Sequence, residues 1–285
     1  MLAILLALGS SLAWGLADFG AGLKSRRLGV LAVLVVMLAG SLPFVVVAVL
    51  TVGGAPPSDT GFVVVAALAG ASGTVGIAAF YRGLVVGTMS VVAPISATAA
   101  VVPLAFGLAT GERPSGLQAL GVVLALAGVV LAAREPDAPA ARAGPPRRAV
   151  AGVGLALVAA LGFGGFFVGI DAASARGGEL WAILVQRTTS LALVAGAALA
   201  VRPDLRRARP EAGALVAIGV ADLAANALFA LASTRGLVSV VGILGSLYPV
   251  VTILLARSVL RERLAAPQWA GVGTALAGVG LIVGA

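Results

Sequence analysis

The chain has 285 residues, of which 60% are hydrophobic and only 11% charged, with a mean hydropathy of +1.12. A soluble globular domain carries about 25% charged residues, so no water-soluble fold of this length hides so much apolar surface and lipid must act as solvent. There is no Cys and no His, which excludes disulfides, Cys-based metal sites and a histidine proton relay; the +8 charge comes largely from arginines between apolar runs, where the positive-inside rule wants them, and not from a nucleic-acid surface.

In chain order, Met1 to Leu8 is apolar with no basic residues ahead of it, so the segment reads as a first membrane helix and not a signal peptide. Residues 28–58, 60–81, 83–111, 114–133, 149–170, 236–256 and 264–285 carry no charged side chain. Clusters such as Lys24-Ser25-Arg26-Arg27, Gly53-Gly54-Ala55-Pro56-Pro57 and Arg202-Pro203-Asp204 punctuate them. The pattern predicts an all-α integral membrane protein of ten transmembrane helices, near 2–22, 28–52, 61–81, 87–109, 115–133, 149–173, 178–201, 211–234, 236–258 and 266–284. Residues 134–148, rich in Pro, Ala and Arg, read as a linker between residues 1–133 and 149–285.

The two halves repeat. Leu12 and Gly15 align with Leu161 and Gly164, Ser90 with Ser239, and Glu112-Arg113, Gln118 and Gly121 with Glu262-Arg263, Gln268 and Gly271, at a steady offset of 149 or 150. Five helices per repeat is odd, so the second half must enter the membrane with opposite orientation. Two inverted five-helix repeats are a recurring plan of secondary transporters, with the site at the repeat interface. Gly121-x-x-x-Ala125, Gly165-x-x-x-Gly169 and Gly271-x-x-x-Ala275 supply small faces for close helix packing.

Leu12-Ala13-Trp14-Gly15, Thr110-Gly111-Glu112-Arg113-Pro114, and Ser246-Leu247-Tyr248-Pro249-Val250-Val251-Thr252 followed by Glu262-Arg263 carry a further resemblance. Each half resembles an EamA domain, and the whole resembles a ten-helix member of the drug/metabolite transporter superfamily. The resemblance implies gradient-driven export or exchange without an ATP site. It does not single out a substrate among amino acids, sugars, nucleotides and drugs. No G-x-x-x-x-G-K-[ST] motif occurs.

Ionisable groups inside a membrane are costly and are functional candidates by default. Asp222 lies about eleven residues into the eighth span, with Asn226 one turn on. The pair can hold a substrate ammonium, or Asp222 can exchange a proton; a satisfied interhelical hydrogen bond is the structural alternative. Arg187, next to Gln186, lies about nine residues into the seventh span. It can bind a substrate carboxylate or pair with an acid, for which Asp171 at the end of the sixth span is the expected partner. Trp14 and Asp18 share a face of the first span, a ring beside a carboxylate that suits a cation, unless the Trp is only an interfacial anchor. Tyr248-Pro249 in the ninth span, and Pro94 and Pro103 in the fourth, kink their helices and shape a cavity lined by Ser96, Thr98, Ser246 and Thr252. Glu112 and Glu262 sit before the fifth and tenth spans and read as structural, each pairing with its neighbouring Arg and a helix N-terminus.

These features point to a secondary transporter of small metabolites, with amino acids among the candidates, and not to an enzyme. The expected partners are a small-molecule substrate and the bilayer, with no nucleic acid and no cofactor or metal; the oligomeric state is open, a monomer included. A membrane-embedded enzyme would have to use an aspartyl pair, because no H-E-x-x-H or G-x-S-x-G motif occurs. A non-transporting scaffold or receptor has little extramembrane mass to work with. The expected location is the bacterial inner or plasma membrane. Most of the 19 Lys and Arg fall after odd-numbered spans, against Arg113, Arg176 and Arg235 in the intervening loops, which puts both termini outside the cytoplasm. Relatives are usually drawn with both inside.

Overall fold

The computed structural model describes residues 1–86, 95–132, 146–260 and 265–284, all of them helical or in short connections. The helices are α1 (Leu2–Leu28), α2 (Val30–Val52), α3 (Gly61–Val86), α4 (Val101–Ala109), α5 (Gly116–Ala132), α6 (Pro146–Gly177), α7 (Glu179–Val201), α8 (Ala212–Ser233), α9 (Val238–Gly245), α10 (Tyr248–Leu260) and α11 (Ala266–Val283). A 3₁₀ turn, Ala97–Ala100, leads into α4, and another, Leu205–Glu211, into α8. Among the described residues, seven spans are long and apolar enough to cross a membrane, and three shorter apolar helices cover Thr98–Ala109, Gly116–Ala132 and Val238–Thr252. The first part of the predicted fourth span with Pro94, the linker from 134 to 145, and Glu262-Arg263 lie outside the described residues.

The predicted ninth span is two helices. α9 ends at Gly245, Ser246 and Leu247 form a tight turn, and α10 starts at Tyr248. Pro249 explains the restart: it has no N–H to donate to a continuing helix, but its fixed φ suits a first turn. Single glycines join α1 to α2 and α6 to α7, and both need positive φ: 81° at Gly29 and 79° at Gly178. They lie 149 residues apart, the repeat offset, and mark the same one-residue hinge in each half.

Contacts between elements exchange when the halves are swapped. α1 packs on α8 as α6 packs on α3; α2 packs on α7, α4 on α9 and α5 on α11. The match reaches single atoms. The Cα of Gly15 lies against Val251 and the Tyr248 carbonyl, and that of Gly164 against Val102 and the Ala99 carbonyl. α5 and α11 run antiparallel, with Gly121 beside Gly278 and Gly128 beside Gly271 and Ala275. Backbone meets backbone there because glycines face glycines and alanines along the crossing. Gly128→Val would drive a methyl-bearing carbon into the Ala275 amide. The expected result is a loss of about 3 kcal/mol or of folded protein altogether. Gly273→Val on α11, where a Cβ meets nothing within 4 Å, is the control that should unfold normally. Equal melting of both variants would remove this interface from the stability of the fold.

Outward faces carry Leu5, Leu12 and Leu16 on α1 and Val47 and Leu50 on α2, exposed as lipid-facing residues must be. The inward faces form one apolar core from Ala7 and Trp14 through Phe167, Ile183 and Phe229 to Leu244 and Ala275.

Candidate functional site

α7 and α8 bring the two mid-span charges together. Arg187 lies eight residues into α7 and Asp222 ten into α8, which places each about 12–15 Å along its helix. The helices run in opposite directions, so both residues fall near mid-depth. Arg187 Nη1 donates to Asp222 Oδ2 at 2.5 Å, and Nη2 donates to the Gly219 carbonyl at 2.8 Å. Asn226 Nδ2 lies 3.4 Å from the same Asp222 oxygen. The guanidinium is buried, at 2% exposure, whereas Asp222 keeps 23%. Arg187 Nε and Gln186 Oε1 are buried without a partner among the described residues. The Gln186 amide donates to Ser190 Oγ, which donates to the Gly70 carbonyl of α3.

Asp18 on α1 is half-buried and close enough to Asp222 for the two carboxylates to interact. Arg187, Asp222 and Asp18 together leave one negative charge if all three are ionised. Of the three, Asp222 and Asp18 keep partial exposure, and the Arg187 guanidinium is buried.

Asp171, the partner expected for Arg187, is not the acid it meets: the guanidinium pairs with Asp222, and the Ser233 hydroxyl near the end of α8 donates to the Ala230 carbonyl. Depth would have allowed the Arg187 pairing. Facing decides against it, because Arg187 points at α8 through both its carboxylate and its carbonyl contact. Glu112 also differs from expectation. It accepts from the amides of Val238 (2.7 Å) and Ser239 (3.0 Å), capping α9 in the opposite half, and not from Arg113.

Trp14 is buried, at 8% exposure, inside an aromatic cluster. Its ring lies 6.2 Å from Phe166, 5.6 Å from Phe167, 5.5 Å from Phe229 and 6.4 Å from Tyr248. Phe167 and Phe229 stack at 4.8 Å. The phenylalanines were not singled out in the sequence; the repeat aligns Phe167 with no aromatic of the first half, so nothing marked it. Tyr248 is half-buried at the head of α10. Ser246 is buried and donates to the Ile243 carbonyl at 2.8 Å, closing α9. Thr252 reaches the carbonyls of Tyr248 and Gly15. Ser96 is buried, and its hydroxyl has no hydrogen-bond partner among the described residues. Among the described residues no three His, Cys, Asp or Glu side chains are grouped as metal ligands.

The architecture is that of a polytopic helical membrane protein with an ion pair inside its bundle. The chain belongs to the EamA-like transporter family, which matches residues 1–134 and 150–284, and is thus a transmembrane transporter of the drug/metabolite type. A solved crystal structure, described only as that of a protein, matches with a TM-score of 0.76 over 99% of this chain and 98% of the other, at 18% identity; that is a likeness of fold. No curated protein matches the sequence.

Proposed function

We propose that the chain is a secondary transporter of small metabolites, amino acids among them, that exports or exchanges its solute across a bacterial inner or plasma membrane. It works as two inverted five-helix repeats, residues 1–133 and 149–285, rocking against each other. The exchange of contacts under swapping of halves, the paired hinges at Gly29 and Gly178, and the antiparallel α5–α11 crossing support inversion. Equivalent helices run antiparallel only about an axis in the membrane plane.

The observation that carries the proposal is the Arg187–Asp222 pair in mid-span, with Asp18 beside it. A buried ion pair in lipid is an expensive way to hold two helices together, and charges at that depth mark solute or ion pathways. In this reading Asp222 and Asp18 meet an ammonium or a proton, Asn226 and Arg187 orient Asp222, and Trp14, Tyr248 and Ser246 form the apolar wall and the broken helix beside it. Proteoliposomes preloaded with unlabelled amino acids, amines or organic acids should accumulate the labelled form of at least one class by counterflow. Folded protein that accelerates none of them would favour a scaffold. Labelling of Ser58→Cys on the cysteine-free chain from the outside alone would fit termini outside the cytoplasm; labelling from the cytoplasm alone would reverse that orientation.

A further inference from the structure

We infer that the 3₁₀ segment Leu205–Glu211 and α2 form a binding site for the headgroup of an anionic phospholipid, with Arg206 and Arg209 as its phosphate clamp. Val36, Leu205, Arg206, Ala208, Arg209 and Ala212 line a cavity of about 270 Å³. In a 3₁₀ helix residues three apart eclipse each other, so Arg206 and Arg209 stand on one edge of the segment. Ala208 is buried against the neighbours Val33 and Met37 of α2, which seats the segment on the bundle and holds that edge in place.

The charge around the cavity is selective. Lys24 is paired with Glu211 at 2.5 Å and Arg207 with Asp204 at 3.2 Å, so two nearby cations are already neutralised. Arg206 and Arg209 are exposed and their guanidinium groups have no carboxylate partner among the described residues; the Arg206 backbone N–H donates to Asp204 Oδ1 at 3.1 Å, which caps the segment. Two guanidinium forks over a pocket floored by Val36, Leu205, Ala208 and Ala212 match a phosphodiester with the first carbons of its glycerol and acyl chain. A free phosphate would use the arginines and leave the apolar floor wet. The site lies on the membrane face that holds most of the basic residues, which is the cytoplasmic face by the positive-inside rule, and basic pockets between helices on that face take anionic headgroups.

The test is native mass spectrometry of the full chain in detergent, titrated with phosphatidylglycerol or phosphatidylcholine. The wild type should retain phosphatidylglycerol in preference to phosphatidylcholine, and millimolar inorganic phosphate should not displace it. Arg206→Gln with Arg209→Gln should weaken phosphatidylglycerol roughly tenfold or more. Ala212→Leu, which fills the cavity and keeps both arginines, should weaken it as well. Arg207→Gln removes the same charge from a paired neighbour and should change little. The inference is overturned if Arg207→Gln weakens binding as much as the double variant, if Ala212→Leu binds as wild type, or if phosphate competes with the lipid. The variants lie away from Asp222, so unchanged counterflow in them would leave the transport reading standing whichever way the lipid result falls.

Discussion

Asp222→Asn should lower stability by about 3 kcal/mol and reduce transport more than tenfold. The stability loss follows from Arg187. Its guanidinium is 2% exposed, so removing the partner charge strands a cation inside the bundle. The loss sits at the low end of the range for broken buried pairs, because Asn keeps a carbonyl in reach and Gly219 still accepts from Nη2. Without Arg187 in view, Asp222 reads as a lone carboxylate whose amide variant folds normally; the 2.5 Å contact changes that expectation. The decisive comparison is the double variant Arg187→Gln with Asp222→Asn. Two neutral side chains can hydrogen-bond in the same space, so most of the stability should return. Transport should not return, because the carboxylate that meets the solute is gone. Unfolding in mixed micelles and counterflow in proteoliposomes measure the two quantities separately. Transport restored in the double variant would make the pair a structural lock, and full stability in Asp222→Asn would deny that the pair carries load.

Why the sequence disclosed a helical membrane protein but not this pairing is a matter of which signals are one-dimensional. Apolar spans follow from where charges are absent, a rule that lipid enforces along the chain, and the repeat follows from matched residues at a steady offset. Depth was also legible: Arg187 and Asp222 sit about nine and eleven residues into predicted spans of opposite direction, which places both near mid-membrane. The sequence points to Asp171 as the acid for Arg187, because the sixth span ends on the side where the seventh begins; the eighth span is just as much a sequential neighbour of the seventh, and it supplies the partner. Rotation about each helix axis decides such cases, and a helix rich in Ala, Leu and Val all round shows little amphipathic phase from which to read it. Trp14 illustrates the same limit. Its spacing from Asp18 is right for a shared face, yet Phe166, Phe167 and Phe229 surround the ring, and those residues come from spans that no periodicity links to the first. The break at Ser246-Leu247 was half legible, since Pro249 signalled a kink but not that α9 would end four residues before it.

Glu112→Ala should cost about 3 kcal/mol, although the residue sits in a loop that sequence reasoning assigns to a local pair with Arg113. Each carboxylate oxygen accepts one backbone amide at the start of α9, from Val238 and Ser239. Amides in the first turn of a helix have no partner within it, and a charged acceptor there also meets the positive end of the helix dipole. Near the membrane the alternative of solvation by water is poorer than on a soluble protein. Gly107 makes the arrangement possible, because a side chain at that position would occupy the space of the carboxylate. Glu112→Gln keeps one accepting oxygen and turns an NH2 toward the other amide, so it should lose about half as much. Arg113→Gln, exposed and without a part in the cap, should stay within about 0.5 kcal/mol of wild type. Since the cap joins the loop after α4 to α9 in the other half, the loss should also appear as faster exchange of the amides of α9 in the folded protein. Equal destabilisation by Arg113→Gln, or wild-type stability in Glu112→Ala, would return Glu112 to its loop and leave the start of α9 held by packing alone.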